Sequence, residues 1–407
     1  MKRVVEVFLG ILTAIGGFVD IGDLVANAET GARFRMGLAW AVVVGVVGIV
    51  VYAEMAGRVA AISGRPVFDL VRDRLGARVA LANLVASFFI NFLTLAAEIA
   101  GVALALQLAT SVNYLLWIPL VAFLVWLVLW RMRFSMMEKV FGIMGLALIV
   151  FGAALWHLHP AGLFASAMHP APPPDESWAT YAFFAVALFG AAMTPYEVFF
   201  FSSGAVEEHW TSGDLKIERA NVLIGFPLGG VLSLLLMGTA ATVLAPRGIS
   251  VSHLSQVGLP VSLALGKVGL AVLLVGVFAA TFGAALETAL SAGYTVSQYF
   301  GWQWGTFVRP KEAPRFHLVV MLSIVFGSLL VLTTLDPIKV TEYSIVLAAA
   351  ALPLTYFPIL VVANDPEFMG DKVNGRITNA IATVYLVLLL IVALATIPLM
   401  IITKAGA

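Results

Sequence analysis

The 407-residue sequence contains no cysteine, few charges and only six histidines. Without cysteine there is no disulfide frame, no thiolate nucleophile and no thiolate-ligated zinc or iron–sulfur site. Charged residues make up 11% of the chain, where a soluble domain carries ~25%, too few to cover a globule of this size in water. Lysine plus arginine balance aspartate plus glutamate at 23 each with no basic run, which argues against nucleic acid as a partner. What is plentiful is apolar: 61% of residues against ~45–50% in soluble domains, with a mean hydropathy of +1.01. A water-soluble enzyme is excluded. The composition is that of a polytopic membrane protein.

A helix needs roughly 20 apolar residues to cross the hydrocarbon core. Eleven such runs lie near 6–31, 36–57, 80–108, 112–130, 137–158, 177–204, 219–245, 258–297, 316–335, 340–363 and 376–402. The first, sixth and eighth exceed one straight crossing, which predicts breaks or extensions there. Asp20 and Asp23 stand where a signal peptide would place its apolar core and cleavage site, so no cleavable signal is expected. A cytoplasmic N-terminus puts 17 lysines and arginines inside and 6 outside. The positive-inside rule therefore predicts a multi-pass protein of the plasma (cell inner) membrane, N-terminus cytoplasmic and C-terminus outside. The lipid bilayer is an expected partner; nothing sets the oligomeric state, and a monomer is compatible with the sequence. The longest connections are 58–79, the proline-rich 159–177 and 298–315, and Glu207-Glu208-His209 reads as part of a solvated inner loop.

Carboxylates inside hydrocarbon are costly and mark function by default. Glu54, one turn from Arg58, reads as half of an interfacial ion pair, and Glu342 lies near a span end. Glu98 and Glu287 sit deep in apolar helices, where a role in the pathway competes with a plain helix contact. Asp20, Asp23 and Glu197 differ in their surroundings. Asp20 lies in Gly16-Gly17-Phe18-Val19-Asp20-Ile21-Gly22-Asp23 and Glu197 in Gly190-Ala191-Ala192-Met193-Thr194-Pro195-Tyr196-Glu197. Glycine and proline weaken a helix in mid-span and free carbonyls that can hold a cation. Paired interruptions in two halves are the best sequence pointer to a transporter's binding site. A shift of 174 positions lays Gly16 on Gly190, Asp20 on Thr194 and Asp23 on Glu197. That spacing predicts a single transmembrane domain built as a five-plus-five inverted repeat, 1–158 and 177–363, with an eleventh helix at 376–402. The first and sixth helices are discontinuous, with Gly16, Gly17, Gly22, Gly190 and Pro195 as flexible points.

Asp20, Asp23, Glu197 and the Thr194 hydroxyl are expected to converge, with backbone carbonyls such as that of Ile21 completing the shell and Glu98, Tyr196 and Glu287 along the pathway. The six histidines (His157, His159, His169, His209, His253 and His317) fall in loops or at span ends. An all-oxygen, anionic site favours a hard divalent cation over a soft transition metal. The ion is cargo, and no resident cofactor is expected.

At these residues the chain resembles the natural-resistance-associated macrophage protein (Nramp) family of divalent metal transporters, which share the leucine-transporter fold. Asp20-Ile21-Gly22-Asp23 occupies the place of that family's Asp-Pro-Gly-Asn, and Thr194-Pro195-Tyr196-Glu197 that of its Met-Pro-His-Asn, followed by an aromatic stretch and Ser202-Ser203. Gly57-Arg58 through Arg72-Asp73-Arg74, Ala97-Glu98-Ile99-Ala100-Gly101, and Leu352-Pro353 through Phe368-Met369-Gly370 extend the likeness over nearly the whole chain. The resemblance implies an all-α membrane protein with eleven transmembrane helices that carries metal by alternating access. Four departures stand out. Thr194 replaces the coordinating methionine, and acids replace both asparagines. Ile345, beside Ser344, takes the place of a glutamine ligand, and Phe201 and Leu95 stand where the family has a histidine and an aspartate for proton movement. Together these look like the Nramp-related magnesium transporter branch, implying Mg²⁺ and also Mn²⁺ transport without strict proton coupling. Three alternatives remain: a proton-coupled Mn²⁺/Fe²⁺ importer, an amino-acid or polyamine carrier on the same fold, and an intramembrane enzyme with paired carboxylates, against which the glycine and proline breaks count.

Overall fold

The computed structural model describes residues 18–132, 134–306, 308–333 and 336–406. In hydrocarbon every backbone N–H and C=O must be bonded within the protein, so long apolar runs fold as helices. They are α1 (Ile21–Phe34), α2 (Ala39–Ser63), α3 (Val67–Thr110), α4 (Tyr114–Arg131), α5 (Phe134–Gly145), α6 (Val150–Leu158), α7 (Leu163–Ala167), α8 (Trp178–Ala192) and α9 (Pro195–Glu207). After these come α10 (Leu215–Val243), α11 (Leu254–Phe300), α12 (Pro314–Leu332), α13 (Pro337–Ala363), α14 (Pro366–Met369) and α15 (Arg376–Ile402). Among the described residues, 10 helices or helix pairs are long and apolar enough to cross a membrane. The expected first span is described only from Phe18 onward and continues as α1; Gly16 and Gly17 lie outside the described residues.

The expected breaks are present. The chain leaves helical geometry at Val19–Asp20, before α1, and at Met193–Thr194, between α8 and α9. The run expected at 258–297 is extended instead to Leu254–Phe300, interrupted at Gly266. One boundary differs more. The run expected at 80–108 starts at Val67, because Val67, Phe68, Leu70 and Val71 bury one face of an amphipathic turn whose other face carries charge. Gly76 (φ 82°, ψ 163°) then swings the chain into the crossing, a backbone shape that side-chain-bearing residues rarely adopt.

The middle of the α8–α9 pair is fully enclosed, whereas α15 presents most of its surface outward. Around this pair pack α2, α3 and α13, and α3 lies along α11 for most of its length. The cationic end is organised by Arg58, which binds Glu54 at 3.1 Å and Asn374 at 2.5 Å, with Arg219 joining Glu54 at 3.2 Å. The expected Glu54–Arg58 pair is therefore formed. Glu207 is not a free loop residue. It accepts from the Tyr294 hydroxyl at 2.8 Å and from the Thr306 N–H and hydroxyl at 2.7 and 2.5 Å, tying the end of α9 to the segment after α11. A carboxylate at a helix C-terminus opposes the dipole, and these donors offset that.

Candidate functional site

The two breaks start their following helices in one register. Asp20 (φ −99°, ψ −178°) caps α1, and its Oδ1 accepts from the Asp23 N–H at 2.7 Å. Thr194 (φ −68°, ψ 122°) holds the same place on α9, and Pro195 follows at the first helical position, where its missing N–H has no partner to lose. Each helix start leaves unpaired N–H groups and the positive end of a dipole inside the protein. Carboxylates answer them. The Ile21 N–H donates to both oxygens of Glu98, at 3.2 and 3.3 Å, so an acid from α3 covers the broken end of α1.

Between the breaks lies a cavity of about 10 Å³, bordered by Asp20, Glu98, Thr194, Tyr196, Ser344 and Ile345 among others. It has room for about one water molecule. The Tyr196 hydroxyl donates to Asp20 Oδ2 at 3.4 Å, Thr194 donates to Glu197 Oε2 at 3.3 Å, and the Thr94 and Ser344 hydroxyls pair at 3.0 Å. Asp20 is 2% exposed and Glu98 fully buried. The side-chain donors along this wall are all oxygen, with no histidine. Met193, beside the second break, sends its sulfur toward α2, to within 2.7 Å of where a Cβ on Gly48 would stand.

Several expectations need correction. Asp23 does not join Asp20 and Glu197 at one point. Its carboxylate accepts from Ser233 of α10 at 2.6 Å and from Asn27 at 2.8 Å, and it does not border the cavity. Glu197 stands behind Thr194. Glu287, on α11, does not border the cavity and has one oxygen without a hydrogen-bond partner. Among the described residues, no group of three or more His, Asp or Glu side chains is gathered closely enough to hold a metal unaided. The physical reason is charge: in this closed arrangement the acids turn to helix ends and hydroxyls rather than to each other. Ile21 offers its N–H, not its carbonyl, because it is already the first residue of α1 and its carbonyl faces along the helix.

Gly22 and Gly190 are likewise inside helices, and what they supply is closeness rather than flexibility. A Cβ on Gly190 would stand 2.2 Å from the Ile345 carbonyl oxygen, and one on Gly22 would be 3.0 Å from Asp20 Oδ1 and from Ile345 Cγ1. Ser233, Asn27, Thr94 and Ser344 went unrecognised because serines, threonines and asparagines in apolar helices carry no signal until a partner is known. Ser233 and Asp23 are 210 positions apart. Ser233→Ala is expected to lower stability by ~1–3 kcal/mol, the cost of leaving a buried polar group without its partner; an unshifted thermal unfolding midpoint in detergent would show that this bond contributes nothing.

Broken helices that meet at buried polar groups in mid-bundle are the arrangement by which many membrane transporters build their substrate sites. Solved structures carry the same architecture and give it the leucine-transporter fold. The manganese transporter of Eremococcus coleocola, in complex with an aromatic bis-isothiourea substituted compound, superimposes with a TM-score of 0.76 at 18% identity, covering 97% of this chain and 86% of its own. Mhp1, a nucleobase-cation-symport-1 family transporter, gives 0.61 at 18% identity, covering 98% and 92%. A Na⁺-coupled sialic acid symporter gives 0.53 at 13%, covering 96% and 95%. At these identities the likeness establishes the fold. Residues 10–399 match the family described as natural resistance-associated macrophage protein-like. The chain belongs to the Nramp family of metal transporters.

Proposed function

We propose that the protein carries divalent cations across the membrane by alternating access, favours hard cations (Mg²⁺, also Mn²⁺), and does not require a proton gradient. The observation that supports this most is the donor set of the central cavity: carboxylate, hydroxyl and phenol, with no imidazole and with the neighbouring thioether turned away. Oxygen donors of high charge suit hard cations. Asp20 and Thr194 hold the ion, Glu197 acts from behind through the Thr194 hydroxyl, waters and the Tyr196 hydroxyl fill the shell, and Asp23 acts from behind through α1. Mg²⁺ gives up its waters reluctantly, so a cavity of about 10 Å³ must widen before the ion enters. The non-helical residues Val19–Asp20 and Met193–Thr194 are the pivots. With the cation-rich end in the cytoplasm, an inside-negative potential drives uptake at ~2.3 kcal/mol per charge per 100 mV, roughly twice that for a divalent ion.

A second reading, proton-coupled Mn²⁺/Fe²⁺ import, is favoured by Glu98 at the broken end of α1 and by the likeness to a manganese transporter. One experiment separates the two: Mg²⁺ and Mn²⁺ uptake into proteoliposomes under a K⁺-set potential, with an internal pH dye. Mg²⁺ flux without acidification is the expected result. Mn²⁺ flux with acidification and no Mg²⁺ flux overturns the first reading in favour of the second.

A further inference from the structure

Five polar residues of α3, Asn83, Ser87, Asn91, Thr94 and Glu98, follow one another at steps of three or four and so form a single stripe along the helix. From Glu98 toward the cationic end the stripe runs about 22 Å, at 1.5 Å per residue. All five are buried. α11 faces it with Ser291 and Gln298, and α9 adds Ser203. Asn91 donates to Ser291 at 3.2 Å, and Ser291 to the Tyr196 carbonyl at 3.2 Å, so the seam begins at the wall of the central cavity. Farther along, Ser87 donates to Asn83 at 2.9 Å and Gln298 to Ser203 at 2.9 Å.

Three polar atoms of this seam are left over. Asn91 Oδ1, Asn83 Nδ2 and Gln298 Oε1 are buried without any hydrogen-bond partner. An unsatisfied buried polar group costs about 1–3 kcal/mol, and three along one seam inside a membrane-spanning bundle would be a large standing penalty. Ordered water removes it, since such groups are the usual hosts of buried waters.

We propose that the α3–α9–α11 seam is a hydrated route by which the cation, keeping part of its water shell, passes between the central cavity and the cation-rich end. The proposal rests on the transport reading above and names its path. Neutral amide and hydroxyl groups suit such a route, because they bind the waters of a hydrated ion without trapping it as a further carboxylate would. From Thr94 to Asn83 the stripe carries no ionisable side chain, so passage does not depend on a titrating relay.

The absence of native cysteine makes the test direct. Ser87→Cys and Ser291→Cys are made singly, with Thr396→Cys as control; Thr396 is a buried threonine of α15 whose hydroxyl donates to the Val392 carbonyl, on a helix that packs against α2, α8 and α13 rather than on the seam. Each is reconstituted and exposed on both faces to the membrane-impermeant cation 2-(trimethylammonium)ethyl methanethiosulfonate, and labelling is read by mass. Ser87→Cys and Ser291→Cys are expected to label at least tenfold faster than Thr396→Cys, and labelling is expected to lower Mg²⁺ and Mn²⁺ flux at least tenfold relative to the same variant before labelling. Labelling no faster than the control overturns the proposal by showing a dry seam. Fast labelling with flux intact overturns it too, by showing water without cation passage. Failure of the transport reading has a different signature, since the unmodified protein then carries no divalent ion whatever the labelling rates.

Discussion

Asp20→Asn is expected to leave the protein folded and to lower divalent-cation flux by more than the roughly 10–100-fold that follows loss of a partner outside a metal's direct ligands. The asparagine keeps an oxygen to accept from the Asp23 N–H, so the cap of α1 survives, as it does at helix starts generally. What disappears is the one full negative charge that borders the cavity from α1. Asp23→Asn is the informative companion. Asp23 faces Ser233 and Asn27 rather than the cavity, so that change is expected to lower thermal stability more than it lowers cation affinity. Isothermal titration with Mg²⁺ and Mn²⁺ beside thermal unfolding separates the two effects. If Asp20→Asn transports as well as the unaltered protein, Asp20 is only a helix cap.

Gly190→Ala is expected to be the most disruptive single-methyl change near the site. Its Cβ would meet the Ile345 carbonyl oxygen at 2.2 Å. A backbone atom cannot rotate aside, so α8 and α13 must separate by about 1 Å to restore ordinary contact. Overpacking of this kind costs about 1–3 kcal/mol, and here the displaced segments are the ones that carry Thr194 and Ser344 at the cavity wall. A lower unfolding midpoint together with a large loss of flux is expected. Gly375→Ala, with nothing within 4 Å of the added methyl, is expected to change neither. Equal behaviour of the two variants would falsify the close-packing role of Gly190.

The membrane-spanning runs, the pair of interrupted helices and the family were legible in the residues themselves. Hydropathy dictates helices wherever the backbone must satisfy itself, and Asp20-Ile21-Gly22-Asp23 and Thr194-Pro195-Tyr196-Glu197 kept their 174-residue offset as matching helix starts at Asp20 and Thr194. Val67–Leu75 was less legible, because a short amphipathic turn that lies before a crossing has neither the length nor the uniform hydropathy of a span.

By itself, the sequence determined that this is a helical membrane transporter of the Nramp family with oxygen-rich breaks in two helices. Only the tertiary structure decided which acids share a point. Asp20 and Glu98 border the cavity, while Asp23, three residues along α1, turns to a serine of α10. It also decided that Gly22 and Gly190 are points of tight contact with α13 rather than joints. The physical reason is the same in each case. Composition and spacing set the energetic need, a buried charge to be answered or a helix end to be capped, but the partner that meets it comes from a distant segment through packing.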